Sequence, residues 1–246
     1  MAYDAQEEME EEVAEHFRTP FLIGRIIKIS LVVFVVVINL LILWRVFFSA
    51  NIPKEIKTIA PNATLCEVYR EHGDDMTLQY QDQYTLNYDK GREGAFGVPT
   101  YVYIPEAKQL QVVFRYNNST LRKLADEYGL TELPDKDNEY FDVSLLLVTD
   151  LTPEDLTDAE EACNRIAPTS KTRDTTLLYT YYRYVFDGVE IDESAVSSLF
   201  LDVYYLEDLD YAQKPYGSLM LYTYSAEWRD VDLTARDKKA LQDFAG

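Results

Sequence analysis

The chain has 246 residues with 43 Asp+Glu against 23 Lys+Arg, a formal charge of −20, and it carries 20 Tyr but only 9 Gly and 9 Pro. Its 47% hydrophobic and 13% aromatic content excludes disorder for most of the length, because enough surface can be buried to offset the ordering entropy. From Ala50 onward 36 acidic residues face 19 basic ones, which excludes nucleic acid as a partner, since phosphate neutralisation carries that affinity, and sets the domain against anionic lipid surfaces.

Residues 1–28 form an acidic tail whose run EEMEEEVAEHF spaces Met9, Val13 and Phe17 four apart, compatible with a solvated tail or a short docking helix. Residues 29–48 read as a transmembrane helix: ISLVVFVVVINLLILW carries no charge, and extension to Phe48 gives 20 residues, close to the ~30 Å hydrocarbon thickness. Arg25 and Lys28 before it and Arg45 after it can snorkel, and Trp44, Phe47 and Phe48 sit where interfacial aromatics belong. The bulky Phe48 before Ser49 and Ala50 argues for an uncleaved anchor rather than a signal peptide. The two basic residues tightest to the span precede it, so the expected orientation is N-terminus cytoplasmic and C-terminal domain outside. Asn39, polar in mid-span, is a candidate contact to another transmembrane helix.

Residues 49–75 read as a juxtamembrane linker, extended around Pro53, and then a short helix that Asn62 caps and Gly73 ends. The period then changes to two. MTLQYQDQYTLNY from Met76, Thr100 to Ile104, Leu110 to Tyr116, FDVSLLLVT from Phe141, LLYTYYRYVF from Leu177, LFLDVYYL from Leu199 and SLMLYTY from Ser218 give seven or eight strands. Helices are expected at LRKLADEYG after Ser119, at Leu156 to Ile166 behind the capping box Thr152-Pro153-Glu154-Asp155, and at 234–246 behind Thr234 with Asp237. Strand and helix never alternate regularly, which excludes a doubly wound parallel sheet. The expected fold is mainly β: a transmembrane helix, then over 76–233 an antiparallel β-sandwich of immunoglobulin-like type with two or three short helical insertions, and a short C-terminal helix.

Chemistry-bearing residues are few. The two cysteines exclude a disulfide-dense scaffold or a four-Cys zinc site and leave one candidate disulfide, Cys66 with Cys163. His72 is the one histidine beyond the span, and neither a nucleophile elbow nor a glycine-rich phosphate loop occurs, so neither catalysis nor a cofactor is expected. The alternating Asp135, Asp137 and Glu139 and the cluster Glu207, Asp208 and Asp210 lack the glycine and distal glutamate of an EF-hand and read as solvated loops. Both faces of the strand from Leu177 are aromatic. Tyr179, Tyr181 and Arg183 are therefore a candidate binding face, unless the helix at Leu156 to Ile166 or the C-terminal helix covers them. The expected function is a membrane-anchored, non-catalytic binding or assembly module of the cell envelope with a protein or glycan partner. The alternatives are an envelope hydrolase with paired carboxylates and a structural subunit of a membrane complex held through Asn39.

Overall fold

The computed structural model describes residues 25–44, 52–81, 85–86, 96–132, 134–135, 137–149, 163–191, 196–206, 215–223 and 228–245. The chain divides into two compact units, Met1–Asn51 and Ile52–Gly246. In the first, α1 (Arg25–Trp44) has a mean hydropathy of 3.0 and exposed side chains throughout, and is long and apolar enough to cross a membrane.

The second unit is mainly β and begins with helices. A four-residue helix α2 (Lys54–Lys57) starts behind Pro53, and α3 (Ala63–His72) follows. Asn62 caps α3 by accepting from the Leu65 amide at 2.9 Å, and Gly73 stops it at φ +59°, where a side chain would be strained. The strands are β1 (Leu78–Gln81), β2 (Thr85–Leu86), β3 (Phe96–Ile104) and β4 (Gln109–Asn117), then, after α4 (Ser119–Tyr128), β5 (Phe141–Thr149), β6 (Cys163–Ile166), β7 (Ser170–Thr175), β8 (Tyr179–Asp187), β9 (Val196–Tyr205), β10 (Gly217–Thr223) and β11 (Arg229–Val231). Helix α5 (Ala235–Ala245) closes the unit with a capping box. In that box the Asp237 amide donates to Thr234 Oγ1 while Asp237 Oδ2 accepts from the Thr234 amide.

Two antiparallel sheets result. One runs β11-β1-β3-β4-β8-β7, with β2 on β3, and the other β10-β9-β5-β6. Their inner faces share one core: Leu110, Val112, Phe114 and Tyr116 of β4 and Tyr182, Tyr184 and Phe186 of β8 meet Phe141, Val143 and Leu145 of β5 and Leu199, Leu201 and Val203 of β9. Phe141 is its hub, within 5.0 Å of Phe96 and 5.1 Å of Tyr116 between ring centroids. The outer face of the first sheet is buried as well. Leu78, Val102 and Ile104 pack with Leu65 and Cys66 of α3 and Leu241 of α5, and Val113 and Tyr181 pack with Ile56 of α2. Residues 52–60 are thus part of the fold, folded onto the sheet where an extended linker was expected.

The remaining departures are local. The expected helix over Leu156 to Ile166 ends in strand instead, because 163–166 pair along the edge of β5 from Leu145↔Ile166 to Val148↔Cys163; residues 151–162 lie outside those described. Strand β7, SKTRDT, is an edge strand held by β8 and shows no apolar period to read.

Candidate functional site

The backbone of residues 56–60 belongs to no ladder, so its polar groups need partners from side chains. Arg183 of β8 supplies two: Nε donates to the Ile56 carbonyl at 2.7 Å and Nη2 to the Lys57 carbonyl at 3.0 Å, while Nη1 donates to Gln111 Oε1 at 3.0 Å. Gln111 of β4 takes Ala60 from both sides, accepting from its amide at 2.8 Å and donating to its carbonyl at 2.9 Å. Asp237 of α5 accepts the Ile59 amide at 3.0 Å. Beyond Ala60, Asp187 accepts from Asn62 Nδ2 at 3.1 Å, Gln109 Nε2 at 2.7 Å and Thr169 Oγ1 at 2.7 Å. Ile56 and Ile59 are fully buried in the apolar clusters beside these bonds. Arg183 is 1% exposed with no carboxylate in hydrogen-bond contact among its described partners, and burial pulls its pKa down from 12.5 to about 10.

This clamp forms one wall of a groove of about 720 Å³. Ile52, Lys57 and Thr58 line it from the clamped segment, Tyr80 from β1, Arg229 and Val231 from β11, and Thr234, Ala235, Arg236 and Asp237 from the start of α5. Pro99 and Thr100 line it at the point where the β3–β4 register slips between Gly97 and Thr100, a bulge that suits a proline with no amide to give the ladder. Lys57 and Arg236 are exposed and form no ion pair among the described residues. The buried Asp237 carboxylate is already engaged by the Ile59 amide and by Thr234, which leaves Asp232 as the competing charge at the rim. A neighbouring recess of about 590 Å³, which shares Val231 and Asp232 with the groove, is acidic, lined also by Asp74, Asp75 and Asp230. The groove is thus a locally cationic place in a domain whose net charge is strongly negative.

The residues singled out from sequence fall as follows. Tyr181 and Arg183 are buried at 0% and 1% exposure against Ile52 and α2, so the expected aromatic face is an interior contact covered by the start of the second unit. Tyr179 is half-buried, with the Arg115 guanidinium 4.4 Å above its ring. Cys66 is a free thiol buried between α3 and α5, its Sγ 3.7 Å from the Leu241 carbonyl, and burial raises its pKa. Cys163 lies in the edge strand β6 of the other sheet, and its side chain is outside those described. Asn39 Nδ2 donates within its own helix to the Val35 carbonyl at 2.8 Å. Asp135 makes a turn with the Asp137 amide at 3.0 Å and Glu139 pairs with Lys171 at 2.5 Å; no metal-binding group occurs among the described residues. Glu207, Asp208 and Asp210 lie outside them.

A second polar cluster stands on the outer face of the smaller sheet. Asp202, 3% exposed, accepts from Ser218 Oγ at 2.7 Å and lies 3.4 Å from Arg165 Nη1 and 3.5 Å from the Tyr204 hydroxyl. Ser144, Asp202 and Ser218 are register partners across β5, β9 and β10, so this is a cross-strand ladder rather than a nucleophile with its base. Of the buried carboxylates among the described residues, Asp202 lies on β9 of the smaller sheet and Asp237 on α5, each in its own hydrogen-bond cluster.

Sequence reasoning missed Gln109, Gln111, Asp187, Lys57, Arg229 and Arg236. The glutamines left a signal, two amides on one face of a strand whose other face is wholly apolar. The basic residues left none, because three separate elements bring them together. Compared with family profiles, curated proteins and solved structures, the chain matches none.

Proposed function

We propose that the chain is a single-pass membrane-anchored protein whose domain, an immunoglobulin-like β-sandwich, is a non-catalytic binding or assembly module of the cell envelope, with its N-terminus in the cytoplasm. The observation that carries the binding role is the groove of about 720 Å³ beside the clamp, of a size that suits a small ligand or a side-chain-sized anchor of a partner. The apolar α1 and the clamp support anchorage: the segment that follows the helix in sequence is fixed to the two central strands β4 and β8 by Gln111 and Arg183 instead of hanging as a loose tether.

Alkaline extraction of membranes and protease digestion of intact cells test this together. The chain is expected to stay with the membrane at high pH, with the C-terminal domain digested from outside. Release into the soluble fraction would refute the anchor, and protection of the domain with loss of the acidic tail would reverse the orientation and place the module in the cytosol.

A further inference from the structure

We propose that the groove beside the clamp binds a phosphate group, through Lys57, Arg229 and Arg236. This deepens the binding-module reading and rests on it. Three cations from three elements, the clamped segment, β11 and α5, converge on one cavity in a domain with 36 acidic residues. With Asp232 and Asp237 also in the lining, the three cations leave the groove with a local positive excess, which attracts an anion to this place in an otherwise negative domain. Lys57 and Arg236 form no ion pair among the described residues, and they offer what a phosphate uses: a mobile point charge and a planar fork that can take two oxygens. Ala235 and Arg236, the first residues of α5, line the same cavity, so the favourable end of the helix dipole lies beside it. Tyr80 and Ile52 give the wall an apolar part against which the body of a phosphate ester can lie.

The phosphate can come from a lipid headgroup or from a soluble phosphate ester. Chain connectivity brings the first within consideration, since Ile52 follows the end of α1 by seven intervening residues. The domain's net charge favours the second, because it repels an anionic bilayer as a whole.

Full-length protein in neutral maltoside micelles is titrated calorimetrically at fixed ionic strength with inorganic phosphate, glycerol 3-phosphate, dihexanoylphosphatidylglycerol and dihexanoylphosphatidylcholine. Saturable binding of inorganic phosphate is expected, weakened at least about tenfold by Arg236→Gln and lost in Lys57→Gln/Arg236→Gln, while Lys54→Gln, on α2 outside the groove, binds as the parent does. All these side chains are exposed, and an unchanged melting temperature confirms folding. Tighter binding of the phosphatidylglycerol probe than of glycerol 3-phosphate assigns the site to a headgroup, and the reverse to a soluble ester. No saturable binding of any probe, or equal loss in Lys54→Gln and Arg236→Gln, overturns the assignment. Such a failure in a chain that still resists alkaline extraction and is digested from outside leaves the envelope module standing; a chain that fails extraction sinks the anchor whatever the titration gives.

Discussion

The clamp makes a sharp statement about Arg183: replacing it with lysine is worse than replacing it with methionine. Its guanidinium is 1% exposed, donates three hydrogen bonds to neutral oxygens, and has its pKa pulled from 12.5 to about 10 by burial. At about 1.4 kcal/mol per unit, keeping that charge inside costs about 3 kcal/mol. Methionine of similar length removes the charge and recovers that cost, but leaves the Ile56 and Lys57 carbonyls unpaired at about 1–3 kcal/mol each; Gln111 Oε1 keeps the Ala60 amide. The unpaired carbonyls then outweigh the recovered charge by about 1 kcal/mol at the middle of that range and by about 3 at most. Lysine keeps a charge that is more strongly hydrated and so harder to bury, and one ammonium cannot span the three acceptors. Losing two charge-assisted bonds then costs about 3–5 kcal/mol with nothing recovered. For a domain of this size 1 kcal/mol moves Tm by about 2–4 °C, so at the middle of its range Arg183→Met should lower it by roughly 2–4 °C, and Arg183→Lys should lower it by roughly 6–20 °C. Thermal melting of the full chain in neutral micelles, followed by near-UV circular dichroism, reads both. A methionine variant as unstable as the lysine variant, or no shift beyond about 2 °C in either, would refute the account of the clamp.

Three other outcomes follow from the same structure. Asp237→Ala removes both the α5 cap and the acceptor for the Ile59 amide, and should cost about 2 kcal/mol and speed tryptic cleavage after Lys54 and Lys57; unchanged cleavage would show that Asp237 does not hold the segment. Tyr116, Tyr182 and Tyr184 are pushed above their ordinary value of 10 by burial, so the folded state binds more protons than the unfolded one above that pH. Stability is therefore full below about pH 10 and falls as pH rises beyond it; absorbance at 295 nm should show these tyrosines ionising only as the domain unfolds, and their ionisation in the native protein near pH 10 would contradict the packing. In a Cys163→Ser background the Cys66 thiol, buried and raised in pKa, should react with an aromatic disulfide reagent only after denaturation; prompt reaction in the native state would mean that α3 and α5 open readily.

What could be read in advance follows the range of the interactions. The caps at Asn62 and Thr234 and the stop at Gly129 were legible because both partners lie within four residues. The core strands were legible because a buried face repeats every second residue; β5 was located to the residue, Phe141–Thr149. Helix α2, four residues behind a proline, carries no period of its own and exists because Ile56 is swallowed by Val113 and Tyr181. The site failed for a related reason. Alternation along β8 separates Tyr181 and Arg183 from Tyr182 and Tyr184, and so tells which residues share a face, but it is silent on what covers that face. The cover comes from 126 and 127 residues away.

The clamp also explains why the buried groups are polar at all. A strand added to an edge of the sheet would need no side-chain partners, but residues 56–60 lie across β4 and β8 rather than beside an edge, so their carbonyls and amides cannot join a ladder. Leaving the Ile56, Lys57 and Ala60 carbonyls and the Ile59 and Ala60 amides unpaired would cost several kcal/mol, more than burying Ile56 and Ile59 returns at about 2 kcal/mol each. Arg183, Gln111 and Asp237 are the condition under which that burial becomes favourable. Because the clamp's bonds to residues 56–60 all go to their backbone, it constrains the path of the segment and leaves the exposed Lys57 side chain at the groove. Tension arriving at Ile52 would then be borne by two central strands, each hydrogen-bonded along its full length, rather than by an edge strand that could peel.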